Sequence, residues 1–403
     1  MGSEPKYRLW SRSYIFVCIA TFMMSFSFFI LVPTLPLYLS DTFHIGQTMV
    51  GLVLSCYVIA VLCVRPMAGF IADTFPRKRV YLAAYAAFVV AFIGYFSITS
   101  SLVMFILLRI FHGFSFGMLT TASNTLVIDV IPSARRGEGL GYYGVTNNLA
   151  MAFGPMVGLF LITSCNYSVL FATSLITGLV GLCFAAAIHA PHKECAECKR
   201  LRLSADRFFL KAGIRACVAF FLLAIPYGMT TSYIAIYAAK SGITYNSGLF
   251  FTVMAAGLIM SRLNSGKQVD KGYITETIRL GMCIALVGAL GEALLSTISG
   301  YSPTGGYITY FVTAFLFGYG FGTLFPAYNT LFINLAPNSR RATANATYLT
   351  GWDVGIGAGM LLGGSISEIG YKYCYMFGAL LILLSLLFFV SSVTPHFQKH
   401  RLK

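Results

Sequence analysis

The sequence predicts an all-α polytopic membrane protein with 12 transmembrane helices in two pseudo-symmetric six-helix bundles. Three observations carry that prediction. Of 403 residues, 57% are hydrophobic and only 10% charged, with a mean hydropathy of +0.77; a soluble domain carries about 25% charged residues. Apolar runs recur along nearly the whole chain and reach the roughly 20 residues that cross a bilayer core. Lys and Arg gather on alternate connections, as they do in chains that cross a membrane many times. A soluble enzyme, a secreted disulfide scaffold and a disordered chain are excluded.

Apolar runs read against turn and charge punctuation give spans near 14–39, 48–71, 80–98, 102–130, 140–163, 168–189, 214–238, 247–266, 275–298, 306–333, 343–365 and 372–393. The polar, basic arm from Met1 to Arg12 carries no cleavable-signal pattern, and Lys6 stands where myristoylation needs Ser or Thr. Most connections are a few residues long, so consecutive helices are antiparallel neighbours. The exception is the basic stretch from His192 to Gly213. It divides the chain into an N-terminal bundle (1–190), a cytoplasmic linker (191–213) and a C-terminal bundle (214–403).

Orientation follows from charge. Lys6, Arg8, Arg12, Arg77-Lys78-Arg79, Arg135-Arg136, the linker, Lys267, Lys271, Arg279, Arg340-Arg341 and the tail lie on one side; Lys240 and Lys372 lie on the other. Both termini are therefore expected in the cytoplasm. The net charge of +15 is a topology signal with an added attraction for anionic lipid, and it calls for no nucleic-acid partner. Cys18, Cys56, Cys63, Cys183, Cys217 and Cys283 fall inside apolar runs and read as small hydrophobes. His189, His192, Cys195 and Cys198 are spaced unlike any known zinc module, so no metal is expected.

The two halves repeat each other. Arg65, Gly69 and Asp73 recur as Arg262, Gly266 and Asp270, 197 residues on. From the fourth span the offset becomes 205: Gly113 and Gly117 match Gly318 and Gly322, Asn124 matches Asn329, and Pro132 with Arg135-Arg136 matches Pro337 with Arg340-Arg341. Gly154 and Gly158 match Gly359 and Gly363. Six spans per copy keep both copies in one orientation, related by an axis along the membrane normal. Transport by rocking of one bundle against the other follows from that symmetry.

Three motifs make a family resemblance specific. Gly69-Phe-Ile-Ala-Asp73-Thr-Phe-Pro-Arg77-Lys78-Arg79 resembles the loop 2–3 signature of the major facilitator superfamily. Leu107-Leu-Arg109-Ile-Phe-His112-Gly113-Phe-Ser-Phe-Gly117 is similar to its fourth-helix signature. Gly154-Pro155-Met-Val-Gly158 resembles the fifth-helix motif of its drug:proton antiporter branch. The resemblance implies the major facilitator fold and a cytoplasmic gate in which Asp73 meets the start of span 11. Arg77 is placed to pair with Asp129 at the base of span 4. Gly69 suits a close helix approach, and Gly154-Pro155 would bend span 5 and pack it tightly. Thr74 and Pro76 depart from the family pattern, which commonly has a basic residue and a Gly there.

Arg109 lies inside span 4, roughly 10 Å deep at about 1.5 Å per residue. An arginine there must face protein or water, so it reads either as a substrate or proton contact or as a tie for backbone carbonyls. His112 is one turn on, as a titrating group or a packing residue. Asp353 sits in the middle of span 11, where the other repeat has Asn148. Intramembrane carboxylates usually mark ion or proton pathways; the bland alternative is a neutral hydrogen bond between helices. Glu292 reads as interfacial and Asp41 as loop, and span 1 contains no acid. Spans 1, 4, 7 and 10 would line the cavity with Phe26, Phe29, Asn124, Tyr227, Thr230, Tyr233, Tyr328 and Asn329, surfaces suited to an amphipathic organic molecule.

No phosphate loop or hydrolase motif occurs, so energy comes from a gradient and no cofactor is expected. The reading is a proton-coupled exporter of a small organic molecule in a bacterial inner membrane, acting as a monomer. Partners are the substrate, protons and lipid. An uptake facilitator or symporter for a sugar or organic acid is the alternative, and a non-transporting receptor on the same fold is a second.

Overall fold

The computed structural model describes residues 9–97, 101–132, 135–189, 210–243, 248–337 and 341–401. Among them there are fourteen α-helices and no strand. Eleven helices are long and apolar enough to cross a membrane. The twelfth expected span is present as a 29-residue helix, Arg341–Ile369. It misses that apolarity because it carries Asp353, Glu368 and five glycines between Gly355 and Gly364.

Two compact units form. The first contains α1 (Arg12–Leu31), the later part of α3 (Gln47–Thr74), α4 (Arg77–Ser97), α5 (Leu102–Val130), α6 (Arg136–Ser164) and α7 (Tyr167–Ala186). The second contains α2 (Leu35–Phe43), the start of α3, α8 (Ile214–Lys240), α9 (Leu249–Asp270), α10 (Ile274–Tyr301), α11 (Pro303–Asn334) and α12 (Arg341–Ile369). It closes with α13 (Tyr371–Phe388), which runs through a π turn into α14 (Thr394–His400). Leu35–Val58 belongs with the second unit: Ser55 Oγ donates to the Gly357 carbonyl at 2.9 Å, and Thr48 N–H donates to Glu368 Oε1 at 2.9 Å.

The first expected span is broken. α1 stops at Leu31 and α2 starts at Leu35. Pro33 has no N–H to continue the ladder, and the Thr34 hydroxyl donates to the Ile30 and Leu31 carbonyls at 3.0 and 3.2 Å. Elsewhere polar residues at the ends of apolar runs start helices. Ser11, Asn166 and Ser302 accept from Tyr14, Val169 and Gly305 N–H, and Pro303 takes the first helical position of α11.

Glycines let the helices approach, and they do so twice over. A Cβ on Gly117 of α5 would meet Val64 and the Val61 carbonyl of α3; one on Gly322 of α11 would meet Ser261 and the Leu258 carbonyl of α9. Both partners are shifted by the 197-residue offset while the glycines are shifted by 205, so each unit contains the same contact. Gly154 and Gly158 of α6 face Phe29 and Ile30 of α1, and Gly355 and Gly359 of α12 face Ala224 and Ile225 of α8. Small residues replace the missing hydrophobic drive between membrane helices by close main-chain packing.

Candidate functional site

In the first unit, α4 and α5 bring together Tyr95, Arg109 and His112. Arg109 is 3% exposed and His112 is 0% exposed. Arg109 Nη1 donates to the Tyr95 hydroxyl at 3.2 Å, and that hydroxyl lies 2.9 Å from His112 Nδ1. A hydroxyl both donates and accepts, so the Tyr95 oxygen links the guanidinium to the imidazole whichever ring nitrogen carries the hydrogen. Phe88 and Phe92 flank the imidazole, each with its ring centroid 5.1 Å away, and Phe28 closes a third side at 6.2 Å. Tyr95 stacks on Phe171. His112 thus packs among aromatics and joins a hydrogen-bond chain that includes the Arg109 guanidinium.

Arg77 and Asp129 meet as the sequence suggests, Nη1 to Oδ2 at 2.7 Å. The carboxylate side chain is 7% exposed and the guanidinium 33%, so this charge-assisted bond is partly shielded from water. Gly69 and Asp73 fall in the last turns of α3, and their side chains lie outside the described residues. Gly154 and Pro155 are buried in α6. The Phe29 side chain is half-buried and edges Phe28; Asn124 is exposed and Asn329 half-buried.

The second unit holds an aromatic cluster around Trp352, which neighbours Asp353 on α12. Its ring centroid lies 4.8 Å from Tyr227, 4.7 Å from Phe325 and 5.2 Å from Phe220. Tyr227 and Tyr233, expected on a cavity wall, are buried inside this unit. Tyr233 donates to the Met360 carbonyl at 2.7 Å and ties α8 to α12. Asp353 is half-buried and within electrostatic reach of Tyr348, as is Arg262, the repeat counterpart of Arg65. No metal-binding cluster of three or more His, Cys, Asp or Glu occurs among the described residues; His192, Cys195 and Cys198 lie outside them.

Glu292 is 1% exposed, so the second unit itself buries this carboxyl. Thr230, expected on a cavity wall, donates its hydroxyl to Glu292 Oε2 at 2.9 Å. The signal for its burial lies in α10 itself: Gly281, Ala285, Gly288 and Ala289 share its face at helical spacing and are buried with it. A stripe of small residues marks a packed face, and the carboxyl sits at its end.

The sequence model of the Major Facilitator Superfamily matches residues 17–311 and 279–403. The chain belongs to the major facilitator superfamily. It is 22% identical over 364 residues to the staphylopine export protein of Staphylococcus aureus, covering 87% of this chain and 88% of that one. It is 24% identical over 351 residues to the quinolone resistance protein NorA of the same species, covering 84% and 86%. In fold it is similar to a POT family transporter solved with a thioalcohol-conjugated peptide (TM-score 0.80, 15% identity, 95% of this chain and 96% of that one). The nucleoside transporter NupG superposes with a TM-score of 0.71 at 14% identity, covering 94% and 98%. This member is therefore a multi-pass membrane transporter, and small molecules are the class of cargo its family implies.

Proposed function

We propose that this transporter exports a small amphipathic organic molecule from a bacterial cytoplasm, by alternating access, in exchange for protons. What supports export most is similarity over more than four-fifths of the chain to the staphylopine export protein, with a likeness of similar extent to the quinolone resistance protein NorA. The Gly154-Pro155 segment, packed against Phe29 and Ile30, fits the antiporter motif that the sequence resembles. Both termini face the cytoplasm in this reading, and the protein acts as a monomer in contact with lipid.

Arg109 and His112 supply the polar chemistry of the N-terminal half, with the guanidinium poised to exchange its Tyr95 bond for a substrate or water as the half opens. Asp353 serves the C-terminal half as a proton or cation-substrate contact beside the Trp352 cluster. Asn124, Asn329, Tyr227, Tyr233 and Phe29 line the route as it opens. Gly69, Asp73, Arg77 and Asp129 form the cytoplasmic gate, whose contacts bias one of two states.

Proteoliposomes loaded with pyranine and given ethidium as a probe cation test this reading. Export requires that ethidium movement be driven by an imposed pH gradient and that protons move the opposite way. Movement of probe and proton in the same direction would replace export by symport, and a flux unaffected by the gradient would leave a facilitator.

A further inference from the structure

We propose that Glu292 is a proton-binding group of the C-terminal unit, taking up and releasing the coupling proton at Oε1. Its role in coupling rests on the export reading above; the site itself rests on packing and chemistry. Glu292 is 1% exposed. Its Oε2 accepts from Thr230 at 2.9 Å, while Oε1 is buried with no hydrogen-bond partner among the described residues.

The groups facing it are neutral. α8 contributes Thr230 and the Tyr237 hydroxyl, α11 the Tyr310 hydroxyl, and α13 the Cys374 thiol and the Tyr375 hydroxyl, all within hydrogen-bonding or electrostatic reach. The described residues of α9 place no charge on it. Lys240 of α8 is exposed and sits over the Tyr371 ring, 5.0 Å from its centroid. No ion pair to Glu292 exists among the described residues.

A bare carboxylate buried without a counter-ion costs many kcal/mol. A cation must therefore accompany the charge, and the smallest is a proton on Oε1. An alkali ion needs several oxygen ligands at once, whereas this site offers one open carboxyl oxygen among phenols. The buried Tyr375 hydroxyl also has no hydrogen-bond partner among the described residues, so a polar group stands ready on the facing helix. The step balances simply: an O–H bond forms at Oε1 when a proton arrives from water on one side of the membrane. It breaks when the proton leaves to the other side, with the Thr230 bond retained.

The repeat places this site at a meaningful locus. At the offset of 197, Glu292 corresponds to Tyr95, the centre of the Arg109 and His112 cluster; at 205, Tyr310 corresponds to Phe105, which edges the Tyr95 ring. Arg109 itself corresponds to Ala314. The first unit thus buries a guanidinium at this place and the second a carboxyl.

Infrared spectroscopy of the full-length protein in lipid, titrated with the amide band as a monitor of folding, tests the assignment. The wild type should show a carboxylic-acid C=O band at mildly acidic pH that fades reversibly as the pH rises. The band should be lost in Glu292→Gln at every pH and kept in Asp353→Asn. Absence of the band in the wild type, persistence in Glu292→Gln, or fading only with unfolding overturns the proposal. So does loss of the band in sodium chloride but not in choline chloride, which would make the occupant an alkali ion. If Glu292→Gln does not fold, Thr230→Val decides: the band should move to higher wavenumber as its hydrogen bond is lost, and an unmoved band refutes the assignment. Failure to find gradient-driven export would end the functional reading yet leave this titration intact, so the two fail separately.

Discussion

Replacing Tyr95 with Phe deletes one oxygen and takes a partner from two buried groups. Arg109 Nη1 loses its 3.2 Å bond and His112 Nδ1 its 2.9 Å neighbour, while the stack on Phe171 survives because the ring is unchanged. A hydrogen bond to a charged group is worth about 1.5–3 kcal/mol and a neutral one about 1 kcal/mol, so the loss should be about 3 kcal/mol. For a body of about 150–250 residues each kcal/mol moves the melting temperature by about 2–4 °C, which predicts a fall of roughly 6–12 °C. Thermal unfolding of the purified protein in one detergent, followed by thiol-reactive dye, measures it. Removing both partners of a buried bond is far less costly than removing one. Tyr95→Phe combined with His112→Phe should therefore lose less than the sum of the single changes, by about 1 kcal/mol or more. A single variant within about 0.5 kcal/mol of wild type, the scatter of independent sites, or strict additivity in the pair, would refute the view that this hydroxyl joins the two groups.

The Arg77 and Asp129 pair should show a coupling of about 0.5–2 kcal/mol in a double-mutant cycle of Arg77→Gln and Asp129→Asn, discounted for the exposed guanidinium; zero coupling denies the bond any energetic role. Gly158→Val should lower the melting temperature by the equivalent of about 1–3 kcal/mol, because its Cβ would meet the Ile30 carbonyl. Gly144→Ala in the same helix has open space around it and should be neutral or stabilising by up to about 1 kcal/mol; equal effects of the two would discount the packing argument. Asp353→Asn should express normally and lose pH-gradient dependence of ethidium flux in proteoliposomes. Undiminished proton exchange in that variant removes Asp353 from the pathway.

Much of the fold is legible in residue order because bilayer thickness fixes the length of each apolar run and the repeat fixes which contacts recur. The Arg77 and Asp129 pair is legible too, since both charges fall near helix ends where few partners compete. Glu292 escapes the sequence for a physical reason. Counting along a helix gives depth, whereas burial depends on which face the side chain takes, and that information lies in the small residues of α10. Tyr227 and Tyr233 show the converse: an aromatic residue packs equally well against a neighbour or a ligand, and sequence alone does not distinguish the two. The break after α1 is hidden because hydropathy stays high across Pro33, where the cause is a missing donor rather than a change of polarity.

The paired main-chain contacts at Gly117 and Gly322, and at Gly154 and Gly359, have a consequence for variation in this protein. Volume is what those places refuse, whatever the chemistry of the newcomer. A saturation screen scored for survival should therefore show empty columns that come in twos, separated by the same distance along the chain. The duplicated architecture would then be readable from tolerance to change alone, with no picture of the molecule in hand.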